Sequence, residues 1–339
     1  MRQLKRDVLD HMKILLTGSA GFIGLHLAKS LLQDGHEVVG VDNFNDYYDP
    51  ALKWARWGLL EEHDNYRGYE LDIAENRELM QIAINEQIDT VCHLAAQAGV
   101  RYSIENPFAY QHSNLEGFLS VLELCRHADI KRLVYASSSS VYGGNKKVPF
   151  SEADPVDHPV SLYAATKKAN ELMAHTYTHL YGMQTIGLRF FTVYGPWGRP
   201  DMAYWLFTEA MLAGKAIKVF NHGDMRRDFT YIDDVVAGIQ ASLFSDGLNQ
   251  YELINLGNSR SENLMEMIGV IGSALGIEPE MEMLPMQPGD VEVTYADVEK
   301  ARRKLGYSPS TPITEGMPRF VEWYRNTIPL EKSRGSGKN

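Results

Sequence analysis

Short apolar segments alternate with amphipathic segments over roughly the first 190 residues of the chain. Runs of apolar and β-branched residues predict strands, and apolar residues that recur every three or four positions predict helices. The predicted strands are 13–17, 37–42, 69–71, 90–94, 132–136 and 184–190, and the main predicted helices are 22–33, 108–127 and 162–181. This alternation favours an α/β fold, a doubly wound parallel sheet with helices on both faces.

The pattern changes after about residue 190, where short strands, loops and helices follow one another without regular alternation. A length of 339 residues suggests about two domains at ~150 residues each. We therefore expect a smaller C-terminal α/β lobe that supplies substrate contacts. The predicted parts are an extension (1–11), the sheet domain (12–190, with return segments near 229–256), the smaller lobe (191–228 and 257–328) and a flexible tail (329–339).

Charge changes this picture only in excluding some partners. The chain has 33 Lys and Arg against 44 Asp and Glu, a formal charge of −11. Such an excess argues against a general nucleic-acid-binding surface and against binding to anionic membranes. It remains compatible with a small anionic ligand held in a local positive pocket. In that case the negative excess should lie away from the pocket.

Two cysteines are too few for a disulfide framework and lack the spacing of a metal site. Cys92 and Cys125 both lie in apolar surroundings, which predicts buried free thiols in a reducing compartment, hence the cytoplasm. There is no apolar run of about 18 residues and no secretory signal at the start of the sequence. We predict no membrane association.

A glycine-rich turn joins the first predicted strand to the first predicted helix. Gly18, Gly21 and Gly24 allow a tight turn, close approach of the backbone to a pyrophosphate, and packing of the helix on the sheet. Amides at the helix start, including Phe22 and Ile23, would face the phosphates. This pattern is typical of a Rossmann-type dinucleotide site.

Other positions fit the same pocket. Asp42 ends the second predicted strand 18 residues after Gly24, where a carboxylate accepts hydrogen bonds from the adenosine ribose and disfavours a 2′-phosphate. The predicted cofactor is therefore NAD. The remaining candidates for cofactor contact are Asn43, Asp72 and Ile73 after the second and third strands, and Leu94, Ala95 and Ala96 after the fourth.

A hydroxyl, a phenol and an ammonium form a second candidate site. Ser138 follows the fifth predicted strand, at the sheet edge where α/β proteins bind ligands, and Tyr163 and Lys167 are one helical turn apart. A nearby ammonium and a positive nicotinamide both favour the phenolate, so that Tyr163 can act as an acid or base near neutral pH. Ser138 would hold the substrate oxygen and relay the proton.

With these motifs the chain resembles the extended short-chain dehydrogenases/reductases, specifically the NAD-dependent nucleotide-sugar epimerases. The resemblance runs from about residue 12 to 325. It is strongest to the UDP-glucuronate 4-epimerase branch, through the segments 42–49, 97–103, 190–203 and 286–291. The family implies homodimerisation, here through the helices around 108–127 and 162–181.

The resemblance implies how the reaction begins. In this family Tyr163 would remove a proton from a sugar hydroxyl while the C4 hydride moves to NAD, giving a 4-keto sugar. Related 4,6-dehydratases have an acidic Asp-Glu pair where this chain has Ser139 and Ser140, and UDP-xylose-forming decarboxylases have Glu at the Ser140 position. Since neither acid is present, epimerisation at C4 remains, by rotation of the keto sugar and return of the hydride to its other face.

The same resemblance assigns the substrate contacts. A 4-keto glucuronate loses CO₂ readily if its carboxylate is badly held, and hydroxyl donors with one arginine would hold it. The candidates are Ser139, Ser140, Thr192 and Arg199, and Arg101 is a further candidate for substrate contact. Arg227 resembles the family's pyrophosphate-binding arginine, and Asp290 would contact the ribose. UDP-glucuronate is thus the favoured substrate.

Two alternatives remain open. The same chemistry could act on neutral UDP-glucose and UDP-galactose or on their N-acetyl forms, or the chain could be a non-catalytic, NAD-binding regulatory protein. No metal site is predicted: Asp233 and Asp234 open a helix and fit N-terminal capping better than metal binding. His93, inside a strand, is interpreted as a core residue rather than a catalyst.

Overall fold

The computed structural model describes residues 11–286 and 292–328. Its strands are β1 (Lys13–Thr17), β2 (Glu37–Asp42), β3 (Tyr66–Glu70), β4 (Thr90–His93), β5 (Arg132–Ser138), β6 (Gln184–Phe190), β7 (Thr192–Tyr194), β8 (Ile217–Val219), β9 (Arg226–Arg227), β10 (Phe229–Tyr231), β11 (Tyr251–Leu256), β12 (Glu262–Asn263) and β13 (Met281–Met283). Its helices are α1 (Phe22–Gln33), α2 (Pro50–Glu61), α3 (Asn76–Glu86), α4 (Tyr102–Glu105), α5 (Pro107–Tyr110), α6 (Gly117–His127), α7 (Leu162–Tyr181), α8 (Ala203–Leu212), α9 (Ile232–Phe244), α10 (Leu264–Leu275), α11 (Glu299–Leu305) and α12 (Ile313–Thr327).

The central sheet has seven parallel strands in the order β11-β6-β5-β4-β1-β2-β3. Strands β2 and β3 are added on one side of β1, and the chain then crosses to the other side of β1 to form β4. The carboxyl ends of β1 and β4 therefore border a crevice suited to a ligand. This confirms the predicted Rossmann-type doubly wound sheet. The short strands pair separately, as β10 with β7, β12 with β9 and β13 with β8.

Both faces of the sheet are buried because successive side chains along a strand point in opposite directions. Ile14 and Leu16 of β1 belong to the core under α1 and α9, which continues into the C-terminal segments. Leu15 belongs to the core under α3, α6 and α7. A strand buried on both faces explains the continuous apolar runs in the sequence.

Local signals set the ends of the helix that carries Tyr163 and Lys167. The Ser161 hydroxyl accepts a hydrogen bond from the Ala164 amide at 3.1 Å and so caps the start of α7. Gly182, at φ +66°, ends it in the left-handed conformation that favours glycine. The predicted bounds of this helix and of the helix at 22–33 are confirmed.

Other predicted bounds change in the structure. The third strand is longer than predicted and begins at Tyr66, the fourth ends at His93, and the fifth extends to Ser138. The helix predicted at 108–127 is interrupted by a π-helical segment, Gln111–Glu116, between α5 and α6. Within residues 11–286 and 292–328, no helix combines the length and the apolar character of a membrane span.

Candidate active site

A cavity of about 1020 Å³ opens at the carboxyl ends of the central strands and extends to the C-terminal segments. It brings together nearly all of the residues that the sequence singled out. The predicted residues that line it are Gly18, Gly21, Phe22, Ile23, Gly24, Asp42, Asn43, Ile73, Leu94, Ala95, Ala96, Arg101, Ser138, Ser139, Ser140, Tyr163, Lys167, Thr192, Arg199 and Arg227. Asp72 lies just behind this wall, and Asp290 lies outside the described residues.

The glycine turn requires residues without side chains. Gly18 has φ +73°, and a Cβ there would lie 2.7 Å from the Ala95 nitrogen. A Cβ on Gly24 would lie 2.0 Å from the Gly18 carbonyl oxygen. Among the described residues no side chain caps the start of α1 at Gly21. The exposed backbone cradle and the free amides of this helix start fit a dinucleotide pyrophosphate.

An acidic group borders the adenosine end of the cradle. Asp42 is buried, and its carboxylate accepts hydrogen bonds from the amides of Ala20 (3.2 Å) and Phe44 (3.0 Å). Burial raises the pKa of Asp42, while the nearby charge of Lys53 lowers it. Asn43, which lines the cavity, donates a hydrogen bond to Asp72 at 2.8 Å. Asp72 therefore fixes the orientation of the Asn43 side chain without lining the cavity itself. These groups fit the ribose and adenine of NAD.

His93 lies within the sheet beneath this cradle. It is buried, and its Nδ1 is 2.8 Å from the Thr17 hydroxyl, which also accepts a hydrogen bond from the Ala95 amide at 3.2 Å. Burial lowers the pKa of His93 to about 3, and the charge of Lys167 acts in the same direction. The histidine is therefore neutral and forms part of the core, as predicted from the sequence.

Ser138, Tyr163 and Lys167 meet where β5 ends and α7 begins. Lys167 is buried, and its ammonium donates to the Ala136 carbonyl at 3.0 Å. Burial lowers the pKa of Lys167 to about 8. Burial raises the pKa of Tyr163, whereas the Ser138 hydroxyl and the Arg199 guanidinium lower it. The arrangement places a titratable phenol between a hydroxyl and positive charge.

A buried ion pair supports this site from behind. Glu171 accepts hydrogen bonds from Arg189 at both carboxylate oxygens (2.8 and 2.9 Å) and from the Ser137 hydroxyl at 2.7 Å. Arg189 lies on β6, Ser137 on β5 and Glu171 on α7. Because the pair joins all three elements, it fixes the strand end that carries Ser138 relative to the helix that carries Tyr163.

Hydroxyl groups and one arginine surround the far end of the cavity. Ser139 and Ser140 lie in a 3₁₀ turn after β5, and Ser138 Oγ is 3.1 Å from Ser140 Oγ. Thr192 begins β7, which pairs with β10. Arg199 forms a bidentate ion pair with Asp201, at 3.0 Å from Nε and 2.5 Å from Nη2. These groups line one cavity, and charge-assisted and hydroxyl donors of this kind can bind a carboxylate.

The loop that carries Arg199 is held by a buried arginine. Arg56 of α2 donates to the carbonyls of Trp197 (2.7 Å) and Gly198 (2.9 Å). Its other terminal nitrogen donates to the Ala20 carbonyl at 3.2 Å. One guanidinium therefore connects the glycine-rich turn to the loop before Arg199.

The opposite end of the cavity contains the remaining arginines. Arg227 lies on β9 and donates to the Glu292 carbonyl at 3.0 Å. The Arg101 guanidinium lies 5.3 Å from the centre of the Phe220 ring, a cation–π distance. Both line the cavity, so the structure places them where a nucleotide diphosphate could reach them.

The cavity wall differs in charge from the molecule as a whole. Its described lining contains seven Lys and Arg residues and two Asp residues, whereas the chain has a formal charge of −11. The cationic members are Lys53, Arg101, Lys167, Arg199, Lys215, Lys218 and Arg227. The expectation that the negative excess lies away from the pocket is confirmed.

Comparisons with known proteins agree with this geometry. A family profile described as "NAD dependent epimerase/dehydratase family" matches residues 14–257. The chain belongs to this family. UDP-glucuronate 4-epimerase 4 of Arabidopsis thaliana is 48% identical, over 95% of this chain and 77% of that protein.

Solved structures of the epimerase/dehydratase type resemble the whole fold. The structure of UDP-glucuronic acid 4-epimerase from Bacillus cereus, in complex with UDP-glucuronic acid and NAD, is 34% identical with a TM-score of 0.87. It covers 93% of this chain and 99% of its own. UDP-glucose 4-epimerase from Thermotoga maritima, with UDP-glucose, is 32% identical with a TM-score of 0.84, over 94% and 100% of the two chains.

The interpretation of Asp233 and Asp234 needs correction in detail. They lie in the first turn of α9, as predicted, but the helix start has no side-chain cap within the described structure. Asp234 instead accepts hydrogen bonds from the amides of Ser310 and Thr311, each at 3.1 Å. The carboxylate thus holds a distant loop. Within residues 11–286 and 292–328, no group of three or more His, Cys, Asp or Glu side chains could bind a metal ion.

Sequence reasoning missed several cavity residues of this epimerase/dehydratase family member. Tyr47, Asp201, Lys215 and Lys218 line the cavity but received no role. The first two lie in segments that carry the family resemblance, 42–49 and 190–203, which was the available signal. Their partnership, between residues 154 positions apart, becomes visible only in the fold.

Proposed function

We propose that the protein is an NAD-dependent UDP-glucuronate 4-epimerase that forms UDP-galacturonate through a transient 4-keto sugar. The single observation that carries the proposal is that Arg199, Ser139, Ser140 and Thr192 line the same cavity as Tyr163, whose pKa the Arg199 charge lowers. An arginine with several hydroxyl groups suits a carboxylate. The names of the Arabidopsis relative and of the Bacillus structure support the same substrate.

Each polar group beside the sugar has a part in the proposed reaction. Tyr163 accepts the proton of the C4 hydroxyl and later returns it, while Ser138 holds the same oxygen. Lys167 supplies positive charge that favours the phenolate. Bound NAD supplies the hydride acceptor and, in the second half of the reaction, the hydride donor.

The proposed cofactor site uses the backbone cradle and the acidic rim. Gly18, Gly21 and Gly24, with the amides of Phe22 and Ile23, hold the pyrophosphate. Asp42 and Asn43 bind the adenosine ribose. Asp72 and Ile73 lie on the side of the adenine. Leu94, Ala95 and Ala96 form the wall along the nicotinamide half. In the uridine half, Arg227 would pair with the diphosphate, with Arg101 near it, and Asp290 would contact the ribose.

The absence of an acid at positions 139 and 140 favours epimerisation over other outcomes. Elimination from a 4-keto sugar needs removal of the C5 proton, and completed decarboxylation needs a proton donor to C5 after CO₂ has left; serine hydroxyls serve poorly in both roles. The keto sugar then rotates and receives the hydride on its other face. Contacts to the carboxylate in the orientations before and after the rotation disfavour the loss of CO₂.

A neutral sugar is the second candidate substrate. Arg199 is already paired with Asp201, so the charge at the sugar end is partly balanced before any acid binds. The structural likeness to the Thermotoga UDP-glucose 4-epimerase points in the same direction. UDP-glucose and UDP-N-acetylglucosamine are therefore the comparison substrates.

We further propose a cytoplasmic homodimer with two lobes. Phe108 on α5 is 76% exposed, and Leu172 and Leu180, eight residues apart on one face of α7, are 58% and 60% exposed. Contiguous exposed apolar surface marks sites of association, and we assign these side chains to the dimer contact. The lobes are 12–190 with 229–256, and 191–228 with 257–328. Buried free thiols at Cys92 and Cys125 favour a reducing compartment.

The decisive experiment follows purified protein and UDP-glucuronate by NMR. The galacto epimer should appear, and UDP-xylose should not. Tyr163→Phe should lower the rate by at least about a thousandfold while NAD stays bound, because the proton acceptor is gone. UDP-glucose, tested in parallel, should react much more slowly. Epimerisation of UDP-glucose alone, or wild-type rate in the phenylalanine variant, contradicts the proposal.

A further inference from the structure

The arginine proposed to bind the sugar carboxylate already has a carboxylate partner in this chain. Asp201 binds the Nε and Nη2 edge of Arg199, at 3.0 and 2.5 Å, and the two side chains are only 25% and 28% exposed. Both residues line the cavity. A sugar carboxylate that reaches Arg199 must therefore share the guanidinium with Asp201 or displace it.

A third residue keeps Asp201 in place. Tyr47, in the loop between β2 and α2, donates its hydroxyl to Asp201 Oδ2 at 3.0 Å. Burial, with the negative charge of Asp201, raises the pKa of Tyr47 to about 12, so the phenol remains a donor at neutral pH. Burial alone would raise the pKa of Asp201, but the Arg199 charge and these hydrogen bonds lower it, so the carboxylate stays ionised.

We propose that Asp201 is a positioning residue that competes with the sugar carboxylate for Arg199 and so allows the keto sugar to turn. The inference rests on the proposed function, since only an acid sugar presents a second carboxylate. Tyr47 fixes Asp201 at the distance where it recaptures the guanidinium.

Epimerisation by rotation explains why such a competitor is useful. The sugar must present both faces of C4 in turn, so its ring substituents have to leave their partners within each turnover. An isolated, half-buried guanidinium would resist the loss of its only anionic partner, because an unpaired charge away from water is costly. With Asp201 present, Arg199 keeps a carboxylate at every stage of the rotation.

The test measures kcat and KM for UDP-glucuronate in wild type and in Asp201→Asn. The asparagine variant should bind the acid sugar more tightly and release it more slowly. We expect KM to fall about tenfold and kcat to fall by a similar factor, a change of about 1.4 kcal/mol in each step. The affinity for UDP alone, measured by calorimetry, should not change. A purely structural role would lower kcat without lowering KM.

Asp46→Asn is the matched control. Asp46 is an exposed acid one residue before Tyr47, and its substitution removes the same charge as Asp201→Asn does. It should leave both constants unchanged. Tyr47→Phe keeps Asp201 but loosens it, and should shift both constants in the same direction by a smaller factor. This variant also serves if Asp201→Asn does not fold.

The outcomes separate this inference from the proposed function. Wild-type protein that does not epimerise UDP-glucuronate overturns the proposed function, and this inference with it. Wild-type protein that does so, with an unchanged or higher KM in Asp201→Asn, overturns the inference alone. When Tyr47→Phe has to replace the first variant, an unchanged or higher KM in it likewise overturns the inference alone.

Discussion

Tyr163 and Lys167 illustrate how burial tunes individual residues in this site. Burial disfavours every charged form, so it raises the pKa of the phenol and lowers that of the ammonium. The two shifts oppose the phenolate–ammonium pair that the proposed reaction needs. The Ser138 hydroxyl and the Arg199 charge offset part of the effect on Tyr163. The site therefore depends on its hydrogen bonds and positive charges more than an exposed pair would.

The lowered pKa of Lys167 predicts a loss of activity at alkaline pH. A lysine with a pKa of about 8 is charged below that pH and neutral above it. Since the ammonium favours the Tyr163 phenolate, kcat at saturating UDP-glucuronate should fall as pH rises from about 7 to 9.5. Lys167→Arg keeps its charge throughout, and its residual rate should show no such fall. A flat wild-type profile would count against the role of the ammonium.

Residues whose roles depend on neighbours in sequence could be predicted, and those that depend on distant partners could not. Gly18, Gly24 and Asp42 act within one strand–turn–helix–strand unit, so their spacing alone indicates the pocket. Tyr47 and Asp201 have polar side chains typical of loops. Only the fold brings them together, and no local pattern encodes that contact.

At the scale of elements, the π-helical segment Gln111–Glu116 has a visible use. The wider turn presents Asn114, whose side chain accepts a hydrogen bond from the Gln97 amide (2.8 Å) and donates to the Gln97 carbonyl (3.0 Å). It also donates to the Thr166 hydroxyl at 3.0 Å. Thr166 lies between Tyr163 and Lys167, so this segment connects the wall of the cofactor cavity to α7. Apolar periodicity predicted a helix here but not its irregularity.

Arg56 connects elements in a similar way, and its loss should be costly. Arg56→Met removes the donors to the carbonyls of Ala20, Trp197 and Gly198 and leaves these acceptors without a partner in the interior. We expect the free energy of unfolding to fall by about 3 kcal/mol. Chemical denaturation measures it. Arg77→Met, at an exposed position of α3, should change it by less than about 0.5 kcal/mol. Equal effects would contradict the bridging role.

At the scale of the whole molecule, the exposed apolar side chains of α5 and α7 predict its association. Combined Phe108→Glu and Leu180→Glu substitutions should convert the proposed dimer to a monomer, because charges would have to be buried in the interface. Sedimentation velocity measures the change. Met281→Glu, which adds one charge at a 39% exposed position of β13, should leave the dimer intact. A wild-type protein that sediments as a monomer refutes this assignment.

The fold as a whole was the most predictable level, because a strand buried on both faces produces a continuous apolar run. The seven-stranded sheet follows from five such runs, the partly exposed edge strand β3, and β11, which the sequence placed only within a return segment at 229–256. The short strands after Phe190 were not predicted individually. Pairs such as β12 with β9 involve two residues each, too few for any periodicity.

The contrast between a negatively charged molecule and a positively charged cavity also affects how a ligand arrives. A nucleotide diphosphate is repelled by most of the surface and attracted at the mouth, so encounters are steered before contact. At physiological ionic strength this guidance extends about 8 Å from the charged groups. The site therefore selects its ligands by direction of approach as well as by fit, and added salt weakens the first kind of selection while leaving the second largely intact.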